Sequence, residues 1–142
     1  MPNQPARVRV LIADDSALMR RTLRRLLEES PEFEVVGAAR DGEDTLLKAR
    51  ELRPDVITLD INMPRMDGLT ALQILVQEQL GTVVMVSSLT QRGAVAAFEA
   101  LELGAFDFVG KPGGTVSADL SGVARELCTK LRAAAAAGTV RR

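Results

Sequence analysis

The stretch Val56-Ile57-Thr58-Leu59-Asp60-Ile61-Asn62-Met63-Pro64 constrains the fold more than any other part of the chain. Four largely apolar residues run straight into an acid, and a proline closes the segment. A strand covered on both faces reads this way, with its last residue pushed out at the edge of a sheet. Asp60 then stands at a strand's carboxyl end, where open parallel sheets bind their ligands.

The rest of the chain repeats the theme. Residues 1–6 are polar, carry two prolines and are expected to be loose. Val8–Ala13 (VRVLIA) reads as a buried strand ending at Asp14 and Asp15, and Ser16 or Asp15 caps the helix that follows. Leu18, Met19, Leu23, Leu26 and Leu27 form that helix's apolar stripe; Arg20, Arg21, Arg24 and Arg25 form its solvated face. Ser30-Pro31 ends it, because the residue before proline avoids the α region. Residues 34–39 (EVVGAA) are a weaker strand, and Asp41-Gly42 is a turn signal. A helix follows to about Leu52, with Leu46, Ala49 and Leu52 facing inward.

Beyond the Val56–Asp60 strand, Asp67-Gly68 opens a helix with an acidic first turn and apolar Leu69, Leu72, Leu75, Val76 and Leu80. Residues 83–86 are a fourth strand, ending at Ser87-Ser88. An alanine-rich helix over 93–103 has Val95, Phe98 and Leu101 as core positions, and Gly104 fits its C-terminal cap. Residues 105–109 hold the fifth strand, followed by Gly110-Lys111-Pro112. The last helix starts near Ser117 or Asp119 and carries Leu120, Val123, Leu127 and Leu131 at helical spacing. Residues 133–137 extend it or open a linker, and Gly138 terminates it. Five strand–helix pairs with short joints predict an α/β fold: one parallel sheet, right-handed crossovers, helices on both faces. A single domain is expected over 7–132, with 133–142 as the start of a linker or tail.

Composition removes several functions. Net charge is −1, so no basic surface points to nucleic acid or anionic lipid. No signal peptide or apolar run near membrane-spanning length appears, so no membrane insertion and a cytoplasmic location are expected. Cys128 is the single cysteine, which excludes a disulfide within these residues, and its place on the last helix's stripe suggests a core residue. Histidine is absent, so these residues hold no histidine-based triad, imidazole base or His-ligated metal.

Parallel strands point the same way, so Asp14, Asp15, Asp60, Ser87 and Lys111 gather along one edge. Three carboxylates together repel one another unless a cation intervenes. Mg²⁺ takes oxygen ligands, few of them from protein. Asp15 and Asp60 can supply two, and the main-chain carbonyl of Asn62 a third. Asp60 beside such an ion and a lysine is suited to attack on phosphorus, with the Ser87 hydroxyl donating to a phosphoryl oxygen. Each residue also has a plainer reading. Asp14 and Asp15 can cap a helix, Asp60 can be a turn acid, Ser87 can satisfy a turn, and Lys111 can be a surface lysine. Their common position favours a site.

ADDS at 13–16, DINMPRMDG at 60–68, VSS at 86–88 and GKP at 110–112 resemble the motifs of response-regulator receiver domains, in the same order and spacing. The resemblance implies a flavodoxin-like (βα)₅ fold with strand order 2-1-3-4-5. It implies that Asp60 accepts phosphate from a histidine kinase, that Asp14, Asp15, Asp60 and Asn62 form the Mg²⁺ site, and that Lys111 binds the phosphate. Ser87 carries over as the switch hydroxyl and Phe108 as the switch aromatic, and Lys111-Pro112 matches a bond that is commonly cis in receivers.

The phrases DDSALMRR, EVVGAARDGEDTL, PDVITLDINMPRMDGL, VVMVSSLTQRGA and ALELGAFDFVGKP look most like the receiver half of chemotaxis protein-glutamate methylesterases. That likeness implies a chemotaxis-type histidine kinase as partner. It also implies a C-terminal methylesterase domain in cis, blocked by the receiver until phosphorylation, and chemoreceptors reached through that domain. The chain departs from the subfamily at residues 79–82, where a proline is usual, and it stops before an esterase domain. Alone it is expected to show no esterase activity, only self-phosphorylation from donors and autodephosphorylation, and to be a piece of a longer methylesterase/deamidase. A stand-alone receiver of another pathway is the alternative. A haloacid-dehalogenase-type phosphatase is a remote one, since those enzymes want an acid where this chain has Asn62.

Overall fold

The computed structural model describes residues 6–87, 91–111 and 120–141. Among them strands and helices alternate: β1 (Val8–Ala13), α1 (Ala17–Glu28), β2 (Phe33–Ala39), α2 (Gly42–Leu52), β3 (Val56–Asp60), α3 (Gly68–Glu78), β4 (Thr82–Ser87), α4 (Gln91–Glu102), β5 (Asp107–Gly110) and α5 (Leu120–Arg141). All strand pairs are parallel and the sheet order is β2-β1-β3-β4-β5, the expected flavodoxin-like arrangement. The central strand β3 is buried along its whole length, as an apolar run without alternation requires.

The sheet divides two cores. On one face Leu11, Ile57, Leu59, Val83 and Met85 pack with Leu46 and Ala49 of α2, Leu72 and Leu75 of α3, and Ala100 of α4. On the other, Val10, Ile12, Val56, Val84 and Val109 meet Leu23 and Leu27 of α1 and Leu127, Leu131 and Ala134 of α5. Side chains on a strand alternate between faces, so neighbouring residues of β1, β3 and β4 serve opposite cores.

Side-chain oxygens cap three of the helices. Ser16 accepts from the Met19 N–H at 3.2 Å, Asp41 from Asp44 at 2.8 Å and Asp67 from Thr70 at 2.9 Å. Asp67 thus acts as the cap of α3, and the expected acidic first turn is absent. Gly104 stands at φ +116 just past α4, where its missing side chain removes the steric penalty.

Four expected core residues lie outward: Leu18, Val76, Val95 and Phe98, the last 61% exposed. In α4 the buried line is Ala97 and Ala100 instead. Small residues let that helix lie close to the sheet, which turns its larger apolar side chains away. Leu18 sits in the first turn of α1, at the rim of the sheet's carboxyl edge rather than over the core. Gly138 does not end the last helix, which runs on to Arg141. A side-chain methyl at Gly138 would press on the Thr82 hydroxyl, so this glycine serves a close approach to β4. Ala134 is fully buried, so the segment read as a possible linker begins as packed helix. The predicted starts of the last helix at Ser117 or Asp119, the stretch after Lys111 and Ser88 lie outside the described residues.

The packing of α5 makes a direct prediction. Ala134→Asp, which buries an unpaired carboxylate, should destabilise the domain by about 2–4 kcal/mol in urea denaturation. Ala133→Asp, on the exposed side of the same turn, should stay within about 0.5 kcal/mol. Equal, small effects would mean that α5 past residue 132 is not part of the folded core.

Candidate functional site

Strand register assembles the site. Ala13 of β1 pairs with Leu59 of β3, so the next residues, Asp14 and Asp60, emerge side by side. Asp60 in turn pairs with Val86, and Ser87 with Gly110. Lys111 follows directly and donates its backbone N–H to the Ser87 carbonyl at 2.7 Å. Residues far apart in sequence are thereby fixed along one sheet edge by main-chain pairing alone.

The side chains converge. Asp14, Asp15 and Asp60 each offer an oxygen, all within 4.8 Å of one another. Asp14 is fully buried, Asp60 nearly so, and Asp15 is exposed. Lys111 Nζ donates to Asp60 Oδ2 at 3.1 Å and lies 3.3 Å from Asp14 Oδ2. That second contact is an ion pair of poor hydrogen-bond geometry, so the Lys111 ammonium is the charge partner of the buried Asp14 Oδ2 but leaves it without a well-formed hydrogen bond. Its partner oxygen Oδ1 accepts the Ser16 N–H at 2.9 Å. Asp60 Oδ1 faces the Asn62 N–H at 3.4 Å.

These surroundings set the charges. Burial, reinforced by the negative charge of Asp14, raises the Asp60 pKa from 3.8 to about 6; Lys111 and the Asn62 amide pull against that rise without cancelling it. Burial acts to lower the Lys111 pKa, but Asp60 and Asp14 outweigh it, and the net shift is upward. Lys111 is therefore a firmly held cation beside a carboxylate that ionises reluctantly. One lysine does not balance three acids, and a hard divalent ion suits the oxygen donors that remain.

Ser87 is buried at the same edge. Phe108 is half-buried on β5, edge-on to Phe98 at 6.2 Å between ring centroids, with the Lys130 ammonium 5.5 Å from its own centroid. Lys130 Nζ also donates to the Phe108 carbonyl at 2.8 Å, tying α5 to β5. Asp14, Asp15, Asp60, Ser87 and Lys111 thus stand at the edge and Phe108 on the strand beside it, while the Lys111–Pro112 bond lies outside the described residues.

The sequence pattern assigns two contributors no role at the site. Arg20, read as solvated, donates Nη1 to the Asp14 carbonyl at 2.8 Å and braces the β1–α1 turn. Its place in the first turns of a helix that starts at the site edge was the available signal. Gly68 packs so tightly on the Asp60 carbonyl that a side-chain methyl would overlap it. Such an approach leaves no trace in hydropathy, only the glycine itself.

Known proteins share this fold. The response regulator receiver domain family matches residues 10–117. A protein-glutamate methylesterase/protein-glutamine glutaminase of Syntrophomonas wolfei is 66% identical over 130 residues, covering 90% of this chain and 37% of the relative. One from Pyrococcus abyssi is 44% identical over 135 residues, again 37% of its length. The chain thus spans little more than a third of these curated relatives. The crystal structure of the response regulator domain of Thermotoga maritima CheB has a TM-score of 0.81 at 46% identity, covering 91% of this chain and 96% of that one. A structure of the P1 domain of CheA3 in complex with CheY6 from R. sphaeroides matches with a TM-score of 0.74 at 35% identity, covering 90% and 99%. Among the described residues no helix is long and apolar enough to cross a membrane. By fold and by sequence over most of its length, the chain belongs to the response regulator receiver domain family.

Proposed function

We propose that this domain accepts a phosphoryl group on Asp60 from a chemotaxis-type histidine kinase, and that phosphorylation controls a methylesterase domain following it in the whole protein. The observation that carries the reading is the cluster of Asp14, Asp15 and Asp60 against Lys111. The first part rests on that chemistry. The second rests on the likeness to methylesterases of which this chain spans the receiver portion.

The step balances as a transfer between two nucleophiles. An ionised Asp60 oxygen attacks phosphorus of a phosphohistidine. A P–O bond forms, the P–N bond breaks, and the leaving imidazole nitrogen keeps the electron pair and takes up a proton. Asp15, Asp60 and the Asn62 carbonyl, with Asp14 beside them, would hold Mg²⁺, which supplies charge neutralisation for the phosphoryl oxygens when bound. The buried Asp14 oxygen without a well-formed hydrogen bond and the oxygen-only donor set fit such an ion. Lys111 contacts a phosphoryl oxygen once Asp60 is modified, and the Ser87 hydroxyl is drawn to another. Displacement at Ser87 passes to α4, and Phe108 on the adjacent strand answers with a new rotamer, altering the α4–β5–α5 face. That face exposes Val95 and Phe98.

Three measurements test this. Incubation with Mg²⁺ and acetyl phosphate should add one phosphoryl group by intact mass, and Asp60→Asn should abolish the adduct; an equal yield in the variant would sink the assignment. With Asp60 carrying a phosphate mimic, backbone amide shifts should move in α4 and β5 as well as at the site. Shifts confined to the acidic edge would contradict the route through Ser87 and Phe108.

The third concerns pH in metal-free protein. Unfolded aspartate titrates near 3.8 and folded Asp60 near 6, so between those values the folded state holds the extra proton. Raising pH through that interval therefore withdraws stability, and the full penalty stands above about 6. Asp60→Asn cannot ionise. It should be more stable than the parent by up to about 3 kcal/mol near neutrality and show little advantage near pH 4. A difference constant with pH would show that the Asp60 charge is not strained.

A further inference from the structure

The loop of residues 61–67 joins β3 to α3 and carries the Asn62 carbonyl. Its tip holds a conformation that its sequence does not favour. Met66 donates its N–H to the Pro64 carbonyl at 2.7 Å, closing a three-residue turn around Arg65 at φ +70. A γ-turn with positive φ is rare and strained, the more so for a residue with a side chain. Strain of this kind persists only where the surroundings over-determine it.

The surroundings are the first residues of α2. Gly42 lies so close to Met66 that a methyl at position 42 would overlap the Met66 carbonyl oxygen and Cβ. Asp41 is buried and spends Oδ1 on capping α2, leaving Oδ2 3.6 Å from Arg65 Nε. Glu43 Oε1 stands 3.8 Å from Arg65 Nη1. At the loop's base, Gly68 donates to the Ile61 carbonyl at 2.7 Å and sits flush on Asp60. The loop is thus pinned at both ends, and only a few dihedrals lie between the pinned tip and the Asn62 carbonyl.

We infer that Asp41 and Gly42, at the start of α2, clamp the strained turn at Arg65, and that this clamp sets the affinity of the acidic edge for Mg²⁺ by fixing where the Asn62 carbonyl points. Arg65 and Asp41 are positioning residues that touch neither the ion nor the phosphoryl group. The inference rests on the proposed role of Asn62. A loop held only for stability would behave differently: its loosening would lower the melting temperature and leave the affinity of folded protein unchanged.

The test is a calorimetric Mg²⁺ titration of the parent, Gly42→Ala and Arg65→Gly, with amide spectra and metal-free melting curves of each. Gly42→Ala should weaken Mg²⁺ binding about tenfold, the usual scale for residues supporting metal ligands, and move the Asn62 and Met66 amides. Arg65→Gly relieves the backbone strain but removes the ion pairs. It should weaken binding about threefold, the scale of an exposed ion pair, without lowering the metal-free melting temperature. Parent-like Mg²⁺ affinity in both folded variants overturns the inference, and if Gly42→Ala does not fold, Arg65→Gly decides alone. Failure of the parent itself to bind Mg²⁺ overturns the metal-site reading and takes this inference with it.

Discussion

Asp14 and Asp60 repel each other because the sheet gives them no alternative. Pairing of Ala13 with Leu59 places the two acids in adjacent strands at the same level, both buried. Lys111 is the side chain that answers that repulsion. Lys111 is brought between them by the pairing of Ser87 with Gly110, and its charge is held firmly for that reason. Asp60 nonetheless titrates well above an ordinary aspartate. The site is built from main-chain pairing, which is rigid and insensitive to side-chain identity, while its chemistry lies in the few side chains at the strand ends.

Much of this is legible without coordinates. Four apolar runs ending in Asp14, Asp60, Ser87 and Lys111 mark strand ends, and a parallel sheet must bring such ends to one edge. Strand positions emerge well because buried strands are long apolar runs, and Val8–Ala13 and Val56–Asp60 match their expected bounds. The cap at Ser16 is equally readable, since capping depends on local spacing, whereas Asp41 and Asp67, read as a turn signal and an acidic first turn, prove to be caps as well.

What escapes is whatever depends on how closely two elements approach. Hydropathy gives Val95 and Phe98 to the core, but α4 rests on Ala97 and Ala100 because small residues permit the nearer packing. Gly138 reads as a helix stop, yet it serves contact with Thr82. Arg20 belongs to a run of arginines and differs from its neighbours only by standing near the Asp14 carbonyl. The turn at Arg65 is invisible for the same reason: arginine announces neither a positive φ nor the helix start that enforces it. Periodicity reports which side of an element is apolar; distance between elements is a property of the assembled packing.

Helix α5 runs unbroken for 22 residues, with Lys130 tied to the Phe108 carbonyl of β5 and Gly138 against Thr82 at the start of β4. At 1.5 Å per residue it is a rod of about 33 Å, seated on the core through Leu127, Leu131 and Ala134. A rod of that kind transmits phase as well as position. Each residue added to or removed from its C-terminal end swings whatever is joined there by about 100° around the axis. In any fusion to this domain, insertion length therefore acts as an angular dial, and a deletion of one residue reorients the attached part more than it shortens the link.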